Sequence, residues 1–211
     1  MRRCVIVSGA KIGDYTFAKS LLRDDDFNVF CDCGLRHMER LGIKADLVVG
    51  DFDSHEIPDT SAETIVLPRE KDDTDTVFAV KTALARGFSE FLLVGAAGGR
   101  MDHTLGNISV LLRLDSLGKR AVLADDYSVM EVVSRDTAHI DGSWAYFSLL
   151  AVNGDARGVD IKNAKYPLEN AEITGEYQYG ISNETLPGRT AAVNVKEGRL
   201  LLVKVRGDIL C

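Results

Sequence analysis

Gly50-Asp51-Phe52-Asp53-Ser54 follows directly on the apolar run Leu47-Val48-Val49. In extended backbone, residues i and i+2 point to the same side. Asp51 and Asp53 would then face one small volume, where two negative charges repel. A divalent cation relieves that repulsion, and Mg²⁺ takes one or two carboxylates together with phosphate oxygens and water. Aspartates also stabilise ordinary turns, so the pentapeptide alone leaves a metal site and a capped turn equally open.

Two further clusters tilt the balance. Glu70-Lys71-Asp72-Asp73-Thr74-Asp75 opens a helical pattern. Acids in a first turn offset the helix dipole and cap free N–H groups, which accounts for Asp72 and Asp73 but not for three acids and a lysine within five residues. Asp75 would complete a metal site with Asp51 and Asp53 if this helix end lies beside the Gly50 loop. Lys71 would meet a phosphate, since helix N-termini attract anions. The third cluster is Gly95-Ala96-Ala97-Gly98-Gly99-Arg100-Met101-Asp102-His103, a glycine-rich passage from strand to helix. Glycines let backbone N–H groups approach phosphate closely, and Arg100 offers a planar fork for phosphate oxygens. Asp102 either caps the helix or faces substrate; His103 reads better as a surface or packing residue than as a catalyst. The loop matches neither G-x-x-x-x-G-K-[ST] nor G-x-G-x-x-G.

These clusters need a frame that brings strand ends together. Strand-like and helix-like patterns alternate over the first 120-odd residues. Strands are expected at 4–9, 27–33, 46–51, 64–67, 91–95 and 121–123, and helices at 14–23, 35–41, 75–86 and 101–117. Such alternation predicts a mostly parallel sheet covered on both faces, with ligands beyond the carboxyl ends of the strands. After about residue 126 the helical patterns stop. Short runs at 129–133, 144–152, 159–161, 191–195 and 200–205, separated by turn residues, predict a small antiparallel sandwich or barrel. No flexible linker composition marks the boundary, and no internal repeat is present.

The whole chain has 211 residues, 45% hydrophobic and 27% charged, with net charge −7. No apolar run approaches the roughly 20 residues that span a bilayer. The basic start followed by a short apolar run reads as a first strand, so a cytoplasmic location is expected. Acidity and the lack of a basic stripe argue against nucleic acid as partner. Cys31-Asp32-Cys33 lacks zinc or redox spacing, and Cys4 and Cys211 add no second pair, so reduced thiols are expected.

The ordered series Asp32-x-Gly34, Gly50-Asp51-Phe52-Asp53-Ser54, Lys71-Asp72-x-Thr74-Asp75 and Gly98-Gly99-Arg100-x-Asp102-His103 resembles the thiamine pyrophosphokinase family. Lys165-Tyr166-Pro167-Leu168 and Gly180-Ile181-Ser182-Asn183-Glu184 are similar to that family's C-terminal motifs. The resemblance implies a Rossmann-like α/β nucleotide-binding catalytic domain over residues 1–126 and a β-sandwich thiamine-binding domain over 127–211, in a homodimer whose thiamine pocket crosses the interface. It implies transfer of pyrophosphate from ATP to the thiamine hydroxyl, giving thiamine diphosphate and AMP. Asp51, Asp53 and Asp75 match the Mg²⁺ ligands, with Lys71 and Arg100 as cationic helpers at the phosphates. Asp32, Gly34, Asp72, Gly98, Gly99 and Arg100 fall on the nucleotide side, and Asp102 matches a substrate-contacting aspartate. Ser182 and Asn183 match a thiamine-binding element, and Tyr166 falls where an aromatic stacks on the pyrimidine. Two positions depart from the usual motifs: Cys33 and Asn163 stand where glycines are usual. The nearest rivals are a pyrophosphokinase for another small alcohol such as a pterin, and a non-catalytic nucleotide or thiamine sensor.

Overall fold

The computed structural model describes residues 2–52, 61–68, 70 and 72–207. Asp53, Ser54, Lys71 and Cys211 lie outside the described residues. The chain divides into two compact units, Met1–Asp126 and Tyr127–Cys211.

The first unit runs β1 (Cys4–Val7), α1 (Tyr15–Ser20), β2 (Phe27–Cys31), α2 (Met38–Leu41), β3 (Leu47–Gly50), β4 (Glu63–Val66), α3 (Asp75–Ala85), β5 (Glu90–Val94), α4 (Met101–Ser116) and β6 (Arg120–Ala124). Its strands lie in the order β4-β3-β2-β1-β5-β6, and every pairing is parallel. All four residues of β1 and of β3 are buried, as strands covered on both faces require. Their branched side chains, Val5, Ile6, Val7, Val48 and Val49, suit that pleated, packed setting. Helix α3 buries Thr76, Ala79, Val80 and Ala83, and α4 buries Asn107, Val110, Leu111 and Leu114. Each set follows the i, i+3, i+4 spacing of one helical face. The strand order reverses between β1 and β5, and ligands bind at such switch points, outside the carboxyl ends.

The second unit is all β. β7 (Ser128–Val133), β13 (Leu200–Arg206) and β9 (Trp144–Leu150) pair antiparallel, in that order. β11 (Leu168–Ile173), β10 (Ala156–Lys162), β12 (Ala191–Asn194) and β8 (Ala138–Ile140) form a separate antiparallel sheet. One buried cluster draws on both sheets of this unit, with Phe147, Leu149, Leu200 and Leu202 from one and Ile140, Ile161, Ile173 and Val193 from the other.

One sequence expectation changes at the end of β2. The strand expected over 27–33 ends at Cys31, and Asp32–His37 forms a 3₁₀ turn. That turn packs so tightly on β1 that a Cβ on Gly34 would stand 2.1 Å from the Val7 carbonyl oxygen. Cys33, where glycine is usual, is not among the positive-φ residues, so the turn asks no glycine of that position. Asn163, the other departure, does adopt φ 57, and asparagine is one of the residues that tolerates the left-handed region.

Gly34→Ala is therefore expected to destabilise the chain by at least about 2 kcal/mol, because backbone cannot yield as a side chain can. Cys33→Gly is expected to cost only about 0.5–1 kcal/mol, by loosening the unfolded chain. Urea unfolding midpoints check both; an unshifted Gly34→Ala would show that the turn gives way.

Candidate functional site

The site is built at the carboxyl ends of β1, β2, β3 and β5. Ser8 N–H donates to the Val94 carbonyl at 2.9 Å, and Ala10 N–H to Gly95 at 2.7 Å. A Cβ on Gly95 (φ 61) would lie 2.5 Å from the Ser8 carbonyl oxygen. The loops that follow β1 and β5 are thus in direct contact. On the other side of β1, a Cβ on Gly50 would lie 2.8 Å from Cβ of Asp32. That brings Asp32, at the end of β2, against the residue from which Asp51 departs.

Helix α3 delivers Asp75 to the same edge. Thr76 and Ser8 share a buried hydroxyl–hydroxyl hydrogen bond of 2.8 Å, which pins the helix start to the end of β1. Cys31, at the end of β2, is buried, and its thiol pKa is pushed up by that burial and then by the Asp75 carboxylate. Asp75 therefore stands within electrostatic reach of the strand that carries Asp32. The Asp32 side chain is buried, and its Oδ1 has no hydrogen-bond partner among the described residues. A carboxylate oxygen in that position is costly to bury and invites a cation or a polar ligand. Among the described residues no three His, Cys, Asp or Glu side chains group as a metal site; Asp53 lies outside them.

The backbone after β3 differs from the extended segment expected at Gly50–Ser54. The strand stops at Gly50, and Phe52 has φ 50. Simple alternation therefore does not set the direction of Asp51. A bulky residue in the left-handed region is a strained outlier, and here it falls between the two aspartates of the motif.

The acidic run at 70–75 also sorts itself out. Thr74, rather than Asp72 or Asp73, caps α3: its Oγ1 accepts from Val77 N–H at 3.3 Å. Asp73 pairs with Lys81 at 2.5 Å, and Asp72 is exposed.

In the glycine-rich loop, Gly98 (φ 89) and Gly99 (φ 68) adopt backbone that L side chains avoid. Thr104 Oγ1 accepts from Gly98 N–H at 3.0 Å and donates to the Arg100 carbonyl at 3.2 Å, so threonine rather than Asp102 closes the helix entry. Asn107 Nδ2 donates to the Ala96 carbonyl at 2.6 Å from a buried position. Arg100 and Asp102 form a two-pronged pair, Nε to Oδ1 at 3.1 Å and Nη2 to Oδ2 at 2.5 Å, with both side chains exposed. The guanidinium lowers the Asp102 carboxyl pKa to about 2. His103 is exposed.

Four contributors escaped the sequence reading. They are the Ser8–Thr76 pair, Asn107, Asp126 and Arg36. Asp126 accepts from Gly13 N–H at 2.8 Å and Asp14 N–H at 3.0 Å, so the chain's own carboxylate holds the turn before α1. Arg36 places Nη2 3.5 Å from where a Gly9 Cβ would stand. Only Asn107 left a legible signal, a polar residue on the buried stripe of α4.

In the β unit, Tyr166 is 59% exposed, whereas Asn183 is 5% exposed. Asn183 Oδ1 accepts from Tyr166 N–H at 3.0 Å and from Glu184 N–H at 2.9 Å, while Nδ2 donates to the Tyr166 carbonyl at 2.7 Å. Ser182 is exposed with φ 56, and its N–H donates to Ser148 Oγ at 3.0 Å.

Parallel strands that reverse order at β1, with the buried Asp32 and a glycine-rich loop at their carboxyl ends, define an α/β protein of the class whose ligands bind at the switch point. Residues 18–123 match the family model described as thiamin pyrophosphokinase, catalytic domain, and residues 136–200 the one described as thiamin pyrophosphokinase, vitamin B1 binding domain. The thiamine pyrophosphokinase of Bacillus subtilis (strain 168) is 29% identical over 163 residues, covering 74% of this chain and 76% of that relative. The crystal structure of a Geobacillus thermodenitrificans thiamin pyrophosphokinase superposes with TM-score 0.82 at 26% identity, covering 99% of this chain and 100% of that one. A Bacillus subtilis structure reaches TM-score 0.85 at 24% identity, covering 98% and 100%, a likeness of fold. The chain belongs to the thiamine pyrophosphokinase family.

Replacing Arg100 by alanine should return the Asp102 carboxyl pKa from about 2 towards the ordinary carboxylate range, because its largest stabilising partner is gone. Carboxyl-carbon NMR titration of the two proteins reads this directly. An unmoved titration would mean that the pair does not form in solution.

Proposed function

We propose that the chain transfers the pyrophosphoryl group of ATP to the hydroxyl of thiamine, releasing AMP. The observation that carries the site assignment is the delivery of the α3 start, with Asp75, to the strand ends where Asp32 is buried and Asp51 begins. In this reading the parallel sheet is a Rossmann-like nucleotide layer, and the two antiparallel sheets are the faces of a thiamine-binding sandwich.

Asp51, Asp53 and Asp75 would hold Mg²⁺. The donor set fits, since carboxylate oxygens suit a hard cation, and the unsatisfied Asp32 oxygen gives the same edge a further acceptor. When bound, the ion supplies neutralising charge at the triphosphate. Gly99 presents its backbone N–H to phosphate, with Gly98, whose N–H is held by Thr104, Gly34 and Asp72 on the same nucleotide side. Lys71 and Arg100 offset charge building on the phosphate oxygens as the β-phosphorus is attacked. An exposed ion pair such as Arg100–Asp102 is weak and screened, so a phosphate can take the guanidinium and release Asp102 to the thiamine hydroxyl. A carboxylate released from its guanidinium returns to the ordinary range, about 4, and is a poor base near neutrality. Asp102 therefore orients the alcohol by accepting its hydrogen bond, and positioning dominates the rate.

Tyr166 stacks on the thiamine ring system, and Ser182 sits beside it. The acidic surroundings favour the cationic thiazolium, and an aromatic face beside a cation adds about 0.5–2 kcal/mol. The same reading makes the enzyme a homodimer with thiamine bound across the interface, in keeping with the exposed Met101, Leu105, Ile181 and Leu186. It places the enzyme in the cytoplasm, in keeping with the free thiols of Cys4, Cys31 and Cys33.

Incubation with ATP, Mg²⁺ and thiamine should yield AMP and thiamine diphosphate. AMP with a pterin alcohol but not with thiamine would reassign the acceptor, and tight binding without turnover would make the chain a sensor. Asp75→Asn should lower kcat by about a hundredfold or more while thermal unfolding stays close to wild type, because Thr74 and not Asp75 caps α3. Near-normal turnover across Mg²⁺ concentrations would remove Asp75 from the site.

A further inference from the structure

The motif containing Ser182 and Asn183 suggests two polar side chains for thiamine. The geometry of Asn183 points elsewhere. Its side chain is buried, and its amide is committed to backbone: the oxygen takes Tyr166 N–H and Glu184 N–H, and the nitrogen gives to the Tyr166 carbonyl. Its own backbone is held in both directions by Phe147 on β9, with Asn183 N–H donating at 2.8 Å and Asn183 carbonyl accepting at 2.9 Å. Asn183 thus ties one residue, Tyr166, to a core strand through the backbone on both sides of the Tyr166 Cα.

We propose that Asn183 is a positioning residue for thiamine that acts only through Tyr166, fixing the exposed ring without touching the substrate. This inference rests on the function proposed above. Tyr166 needs such a device because it is 59% exposed, so the core does not enclose its ring. The neighbouring ties leave that residue alone. Lys165 N–H donates to the Glu184 carbonyl at 2.8 Å, and Lys165 Nζ pairs with Glu184 Oε1 at 2.6 Å. Asn163 carbonyl accepts from Leu186 N–H at 2.9 Å. These hold the residues before Tyr166, and Asn183 alone among the described hydrogen bonds secures the N–H and the carbonyl of Tyr166 itself. The Lys165 ammonium lies 5.7 Å from the Tyr166 ring centroid. Its pairing with Glu184 offsets a positive charge that would otherwise repel a cationic ligand stacked there.

A double-mutant cycle separates this role from direct contact. Asn183→Ala and Tyr166→Ala should each raise the KM for thiamine by about tenfold, with the KM for ATP changed less than about twofold. The double variant should be no worse than Tyr166→Ala alone, because a ring that is absent cannot be misplaced. Asn183→Asp keeps both acceptor contacts but sets a carboxylate oxygen against the Tyr166 carbonyl where the amide nitrogen donated. It should raise the thiamine KM as well, and it carries the same cycle if the alanine variant fails to fold. Additive effects in the Tyr166→Ala background would show Asn183 touching thiamine and overturn the proposal. So would an unchanged thiamine KM in Asn183→Asp and Asn183→Ala. A wild-type protein that makes no AMP from thiamine would overturn the function itself, which the cycle distinguishes from failure of the Asn183 role alone.

Discussion

Three contacts that leave no room for a side chain draw four strand ends into one surface. Gly34 lies on the Val7 carbonyl, Gly50 on Asp32, and Gly95 on the Ser8 carbonyl. Each would need backbone or a buried carboxylate to move if it carried a Cβ, and close-packed interiors resist such movement. The consequence is geometric. Asp32, the start of the Asp51 loop and the glycine-rich loop cannot drift apart without breaking the sheet order that packs them. The Ser8–Thr76 hydrogen bond then adds the α3 start to the same edge, so residues far apart in the chain share one small region through contacts that are themselves buried.

Charge is the second organising quantity. The edge gathers Asp32, Asp51 and Asp75, and the net charge of the whole chain is −7. Two cations, one on α3 and one at the start of α4, are already paired with carboxylates near the surface. Arg100 is engaged with Asp102 at an exposed position, and Lys81 is engaged with Asp73. Exposed pairs exchange partners at little cost, whereas the buried Arg3–Asp26 pair, 2.7 Å apart, is a fixed part of the frame. The chain thereby keeps a structural ion pair at the amino-terminal end of β1 and exchangeable ones near its opposite end.

Much of this frame was legible in the residues. Buried parallel strands show as unbroken Val- and Ile-rich runs, and Gly42 and Gly87 mark helix ends with φ 72 and φ 86. What stayed hidden depends on contacts between distant residues. The end of β2 at Cys31 is set by how closely Gly34 must approach Val7, which no local pattern records. β11 escaped because Leu-Glu-Asn-Ala-Glu-Ile leaves most of its side chains outside the core, and β8 because it has only three residues. At the site, the ordered motifs singled out Asp51, Asp75, Arg100 and Asp102 as candidates, but alternation misjudged the backbone at Phe52. The capping threonines Thr74 and Thr104 were overshadowed by the acids around them. The amide contacts of Asn183 span seventeen residues, and no spacing rule anticipates them.

Strain gives an independent view of where the chain spends stability. Four non-glycine residues adopt positive φ among the described residues: Phe52, Asn163, Asn170 and Ser182. Such backbone costs about 1–3 kcal/mol each and persists only where the surroundings enforce it. Asn170 has a local explanation, since its side chain accepts from Lys196 and its N–H donates to Asp160. The other three fall in the loop between the paired aspartates and in the two segments that Asn183 joins. Phe52 gains least from that conformation, being neither glycine nor a residue whose side chain stabilises the left-handed region. Its φ of 50 comes two residues after β3 stops, and a Cβ on Gly50, the last residue of that strand, would meet Asp32. Strain at Phe52 and the Cβ-free contact at Gly50 therefore flank Asp51, at the edge where the Asp32 carboxylate is buried.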